Sequence, residues 1–182
     1  MAEIKFKIVV IGDAAVGKTS LIRKYTKGDF QEDYIATLGA QFTQYEEKIE
    51  DVNLKFIFWD IAGQEIFEQM RKKFYSGTKG AIIVFSHSSD EQNSFRRISK
   101  WLSEIRKYCG KIQIALFGNK IDLVNEEELR RNENLDTSDL NVERYVREND
   151  FLGYYKTSAL TGQGVYDAFR ALAKRLYSLG KF

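Results

Sequence analysis

Residues Val9–Ser20 read VVIGDAAVGKTS: an apolar run, two glycines, then a lysine and two hydroxyl residues. Gly12-Asp13-Ala14-Ala15-Val16-Gly17-Lys18-Thr19 follows the spacing of glycine, four residues, glycine, lysine, and serine or threonine, in which bare backbone N–H groups wrap a polyphosphate. Each part has a physical task. The glycines permit positive φ and a close approach of backbone to ligand, Lys18 supplies a point charge for the terminal phosphates, and Thr19 offers a hydroxyl to Mg²⁺. The competing reading is an ordinary glycine turn beside a solvated lysine. The flanks favour the phosphate loop: residues 4–11, IKFKIVVI, read as a strand, and Leu21, Ile22 and Tyr25 share one face of a helix that follows.

Composition sets the bounds around this stretch. The chain has 182 residues with no proline-rich or low-complexity linker, enough for one domain, 1–182, with a substantial core. Lys and Arg total 28 against 26 Asp and Glu, interspersed along the chain, so neither nucleic acid nor a polybasic membrane contact is expected. The one cysteine, Cys109, has no partner for an internal disulfide and reads as a half-buried thiol in a reducing compartment. Neither a signal peptide nor an apolar run of membrane-spanning length is present, so the expected location is cytoplasmic.

Beyond the first helix, Phe42–Glu46 and Leu54–Trp59 form a hairpin-like pair of strands. Ala81–Phe85 and Ile112–Phe117 are nearly continuous apolar runs, as central parallel strands covered on both faces require. Between them Phe95, Ile98, Leu102 and Ile105 recur at helical spacing; near the end, Phe151–Lys156 reads as a last strand, and Val165, Phe169, Leu172 and Leu176 line a final helix. This alternation predicts an open α/β sheet with helices on both faces, and ligands at the carboxyl ends of its strands.

Three short motifs fall at those strand ends. In Trp59-Asp60-Ile61-Ala62-Gly63-Gln64-Glu65, an acid facing the phosphate loop can hold a magnesium water, Gly63 can present its N–H to a terminal phosphate, and Gln64 can orient a water. Alone it is an ordinary strand end, so its value lies in conjunction. Asn119-Lys120-Ile121-Asp122 carries the base identity: a carboxylate accepts two hydrogen bonds from the adjacent N1 and N2 donors of guanine, an edge adenine lacks. Leaving that carboxylate unpaired with the wrong base gives discrimination on the order of 10⁴-fold. The stem of Lys120 can cover the base plane and Asn119 can tie the loops together. Thr157-Ser158-Ala159-Leu160 would offer a backbone N–H to the guanine carbonyl oxygen.

With these motifs in order, the chain resembles a small GTPase of the Ras superfamily over nearly its whole length. The resemblance implies a P-loop NTPase G domain, an open six-stranded, mostly parallel sheet with helices on both faces. It implies GTP or GDP with Mg²⁺ held by Thr19, Thr37 and Asp60, and phosphates enclosed by Gly12, Ala15, Val16, Gly17, Lys18, Thr19 and Ser20. Phe30 matches the aromatic that braces the guanine from the side, Tyr34 the one over the phosphates, and Ser158, Ala159 and Leu160 complete the base site. Gln64, Lys18 and Gly63 are the expected catalytic residues. Thr37 centres the first switch and Asp60 to about Gly77 forms the second, through which a GTPase-activating protein, an exchange factor and effectors would act. A P-loop kinase or ATPase is the first rival and leaves Asn119, Lys120 and Asp122 unexplained; a hydrolysis-deficient scaffold is the second, set against the presence of Lys18, Thr19, Thr37, Asp60 and Gln64.

Within the superfamily the likeness is to the Rab branch, through Trp59-Asp60, Gly63-Gln64-Glu65 and an aromatic set, Phe42, Trp59 and Phe74. The departures are Phe74 for tyrosine, Ile61 for threonine, Val84-Phe85-Ser86-His87 where an aspartate is common after the strand, and Leu160 for lysine. Val124–Asn141 is longer than expected and reads as an exposed, mobile, solvated insertion, a partner-binding role being the rival reading. His87, the one histidine, reads as structural. The chain stops at Ser178-Leu179-Gly180-Lys181-Phe182 without the prenylated cysteines of Rab tails, so membrane attachment requires a lipidated tail that this sequence does not carry.

Overall fold

In the computed structural model, residues 4–26, 31–35, 39–63 and 71–180 are described, with residues 31–35 described by backbone path alone. Strand β1, Ile4–Gly12, shows why the first apolar run folds as it does. Its residues alternate between faces: Ile8 and Val10 join one core, Val9 and Ile11 the other, so a continuous apolar run is what a strand covered on both sides needs.

Among the described residues, seven strands lie in the order β2-β3-β4-β1-β5-β6-β7. These are β2 (Gln31–Ile35), β3 (Ala40–Ile49), β4 (Val52–Ile61), β5 (Gly80–Ser86), β6 (Gln113–Asn119) and β7 (Gly153–Lys156), beside β1. The six strands other than β2 form the expected sheet, parallel except for the β3–β4 hairpin, in which Phe42 faces Trp59. β2 is an addition: it pairs antiparallel with the free edge of β3, Tyr34 opposite Gln41. QEDYI has neither alternation nor an apolar run, so no periodicity announced it.

Helices α1 (Lys18–Thr26) and α5 (Val165–Gly180) cover one face, and α2 (Ile98–Cys109) and α4 (Asp139–Glu148) the other. Tyr25 of α1 stacks on Phe169 of α5 at 4.4 Å, and Phe169 meets Phe58 and Phe117 edge-on. Burying each such ring is worth about 1.5–3 kcal/mol. α2 buries Ile98, Trp101, Leu102 and Ile105. Phe95, expected on that face, lies just before the helix and is half-buried against Phe85.

The insertion expected as a solvated loop is organised by capping. Asn125 accepts from the Glu127 N–H to start α3 (Glu126–Arg131), whose acids lie in its first turn and arginines in its last, as the helix dipole favours. Leu129 is buried, and Ser138 is a buried cap for α4. Lys156 at the end of β7 reaches Glu126 and Asp139 at 3.3 and 2.9 Å, joining the insertion to the sheet.

Among the described residues, no helix is long and apolar enough to cross a membrane.

Candidate functional site

The order of strands reverses about β1, with β4 on one side and β5 on the other, and the phosphate loop leaves its carboxyl end. Gly12 and Gly17 have φ of 143° and 97°, and Ala15 takes the left-handed region at 65°. A Cβ on Gly17 would collide with the Asn119 amide, so this glycine is required by close approach as well as by dihedral. Lys18 is buried and curls over the loop, donating to the carbonyls of Gly12 at 3.1 Å and Asp13 at 2.7 Å. Burial lowers its pKa, while Asp60 and Asp13 act to raise it. The arrangement is a cradle of backbone with a cation at its rim, which suits a chain of phosphates.

The Thr19 hydroxyl donates to the Asp60 carboxylate, so two hard oxygen ligands from α1 and the end of β4 stand together beside Lys18. That donor set fits Mg²⁺, which prefers one or two carboxylates completed by hydroxyl, water and phosphate oxygens. Gly63 packs against the phosphate loop, where a Cβ would collide with the Gly12 carbonyl oxygen. Ser20 is exposed on α1, and Val16 is fully buried beneath the loop.

At the end of β6, Asn119 is buried and makes three hydrogen bonds. Its Nδ2 donates to the Val16 carbonyl at 2.8 Å, while its Oδ1 accepts from the Ala159 N–H at 3.1 Å and the Thr157 hydroxyl at 3.3 Å. One side chain thereby joins the phosphate loop, β6 and the loop after β7. The exposed Asp122 accepts from the buried Ser158 hydroxyl, which orients the carboxylate, and Lys120 sits in a left-handed conformation with φ 62°. The N–H expected to serve a guanine carbonyl belongs to the Ala159 loop, but that of Ala159 is occupied by Asn119. Leu160 is strongly exposed next to it.

Phe30, Thr37 and Gln64 lie outside the described residues, as does the side chain of Tyr34. Every other predicted site residue falls at the carboxyl end of the sheet. The aromatic set is also assembled: Phe42 stacks on Trp59 at 5.4 Å, and Trp59 meets Phe74 at 5.3 Å.

Sequence reasoning passed over several residues. Asp13, inside the loop motif, is buried and accepts from Trp101 Nε1 at 2.9 Å and from the Arg97 guanidinium, 88 and 84 residues away, which braces the loop on α2. Glu91 and Glu104 likewise drew no notice, each being one acid among 26 acidic residues. For the insertion a signal was present: Asn125 before three glutamates is a helix start.

A sequence profile of the Ras family matches residues 7–178. The chain is also similar to Ras-related protein Rab-5A of Dictyostelium discoideum, 36% identical over 173 residues, which covers 94% of this chain and 81% of the relative. With the phosphate loop, the Asp60 strand end and the Asn119 motif gathered on one sheet edge, this protein belongs to the Ras family and is a Rab-like small GTPase, a GTP-binding switch that hydrolyses its nucleotide.

Proposed function

We propose that the chain cycles between GDP and GTP with Mg²⁺, hydrolyses GTP slowly, and recruits effectors in the GTP state. The observation that supports this most is the single bridge made by Asn119, which holds the base-reading segment against the phosphate loop. In this reading Asp122 accepts from N1 and N2 of guanine, the Lys120 stem covers the ring, and the loop N–H groups and Lys18 hold the phosphates. Phe30 braces the base and Tyr34 lies over the phosphates. Thr19, Asp60 and Thr37 would hold the cation, which would supply positive charge beside the phosphates. Thr37 and Gly63 engage the γ-phosphate and release it after hydrolysis, and Gln64 orients the attacking water.

Partners are a GTPase-activating protein, an exchange factor and effectors; the Phe42–Trp59 face, backed by the buried Phe74, is the natural effector face. The resemblance to the Rab branch supports a role in membrane trafficking, with membrane attachment dependent on a lipidated tail. The test is competition at the labelled-GDP site: GTP displaces GDP and ATP does not, and Asp122→Asn shifts preference from guanine to xanthine nucleotides, since an amide can donate to the xanthine carbonyl. Displacement by ATP, or an Asp122→Asn variant that keeps full GTP affinity without gaining xanthine nucleotides, sinks this reading.

A further inference from the structure

The loop after β5 carries a carboxylate built into the base-reading segment. Glu91 lies in the short turn Ser89–Ser94 and presents both oxygens inward: Oε1 accepts from Lys120 Nζ at 3.0 Å, and Oε2 from the Ser86 hydroxyl at 2.9 Å. The two side chains of the ion pair are only 27% and 18% exposed. Ser86 is itself buried and held, its oxygen accepting from the Ser88 N–H at 3.1 Å and its N–H donating to the Ser94 hydroxyl at 3.0 Å. Burial by itself would raise the Glu91 pKa, yet the bonds from Lys120 and Ser86 leave it lowered, so the carboxylate is charged when Lys120 meets it.

We propose that Glu91 is a positioning residue for guanine nucleotide binding: by fixing the Lys120 ammonium it pre-sets the lysine stem and slows nucleotide dissociation. The inference rests on the proposed reading of Lys120 as the cover of the base plane. A lysine carries much rotamer freedom, which must be given up when its stem is laid along a ring. Here the lysine is fixed at both ends before nucleotide arrives. Its backbone is set by the left-handed turn between Asn119, tied to Val16, and Asp122, tied to Ser158. Its head is set by Glu91. Contact with a ring plane does not read the 2-amino group, so the contribution of Glu91 is the same for any purine nucleotide the site accepts. Asp122 acts on the edge and discriminates.

The experiment measures dissociation of fluorescently labelled GDP and IDP from the full chain in wild type, Glu91→Gln, Glu91→Ala, Lys120→Ala, Ser86→Ala and the Glu91→Gln/Lys120→Ala double variant. Expected for Glu91→Gln is a dissociation rate raised about three- to tenfold, as loss of a partly buried charge-assisted bond implies. The factor should be equal for GDP and IDP, larger than for Ser86→Ala, and absent in the Lys120→Ala background. Glu91→Gln and Glu91→Ala rates that both equal wild type, a factor that differs between GDP and IDP, or additivity with Lys120→Ala overturns the proposal. So does a Ser86→Ala effect as large as that of Glu91→Gln, which marks a general loop role. Glu91→Ala keeps the test decisive if the glutamine retains part of the bond. Wild-type protein that fails to retain labelled GDP overturns the reading of the site itself, an outcome distinct from retention with indifferent Glu91 variants.

Discussion

Arg71 and Glu104 form a two-point ion pair, Nε to Oε1 at 2.8 Å and Nη2 to Oε2 at 3.1 Å, with side chains 1% and 9% exposed. The Tyr75 hydroxyl adds a third bond to Glu104 Oε1 at 2.6 Å, and the guanidinium lies 4.9 Å from the Trp101 ring. Breaking a buried pair from one side leaves an uncompensated charge, a cost of about 3–5 kcal/mol. Glu104→Gln and Arg71→Met should each lower stability to urea by that order, and the double variant by less than their sum. Additive losses would show that the two charges do not depend on each other.

The same pair bears on hydrolysis. Arg71 lies in the stretch that the resemblance implies as the second switch, and its guanidinium is paired with Glu104 on α2, so it is not expected to act as a built-in arginine for the γ-phosphate. Lys18 and a bound Mg²⁺ supply only part of the charge the transition state needs, so isolated protein should turn over GTP on the order of 10⁻⁴ to 10⁻² s⁻¹. Gln64→Leu should slow both basal and stimulated hydrolysis with GTP binding unchanged. Single-turnover phosphate release decides it: a fast isolated protein, or a Gln64→Leu variant equal to wild type, defeats the assignment.

Thr19 and Asp60 share a hydrogen bond at the proposed cation position. Because the charge of a cation held there would count for more beside the extra phosphate of GTP, Thr19→Asn should weaken GTP more than GDP. Calorimetric titration in saturating magnesium measures both affinities; equal losses would remove Thr19 from the cation.

Asn119 makes three hydrogen bonds that join the end of β6 to the phosphate loop and to the loop after β7. At about 1 kcal/mol each, Asn119→Ala should cost guanine nucleotide affinity about a hundredfold, beyond any loss of thermal stability. Retained affinity in a folded Asn119→Ala protein would mean the loops hold together without it.

His87 is buried, with Nε2 2.8 Å from the Tyr154 hydroxyl. Burial lowers its pKa from 6.5 to about 4, Asp139 opposing this and Lys156 adding to it. Between those values the unfolded chain binds the proton that the native state refuses. Stability is therefore complete above about pH 6.5, falls as pH drops toward 4, and levels off below, a loss of about 3 kcal/mol. Unfolding free energies of wild type and His87→Gln across this window should diverge by that order. Parallel curves would show that His87 titrates alike in both states.

Local chemistry was enough to write much of this protein into its sequence. The phosphate loop is legible because glycine spacing, a lysine and a hydroxyl act within eight consecutive residues. The faces of α2 and α5 are legible because burial of one stripe imposes a 3.6-residue period, and β1, β5 and β6 because burial on both faces calls for the unbroken apolar runs Ile8–Ile11, Ala81–Phe85 and Ile114–Phe117. Tertiary structure decided the choice of distant partners. Asp13 takes Arg97 and Trp101, Arg71 takes Glu104, and Lys120 takes Glu91, although many other carboxylates in the chain offer the same chemistry. A charge carries no sequence mark of its mate; the mate is whichever opposite group the sheet and helices bring within 3 Å or so and shield from water. The edge strand β2 belongs to the same class, since a weakly apolar segment becomes a strand only when the unpaired edge of β3 supplies its hydrogen bonds.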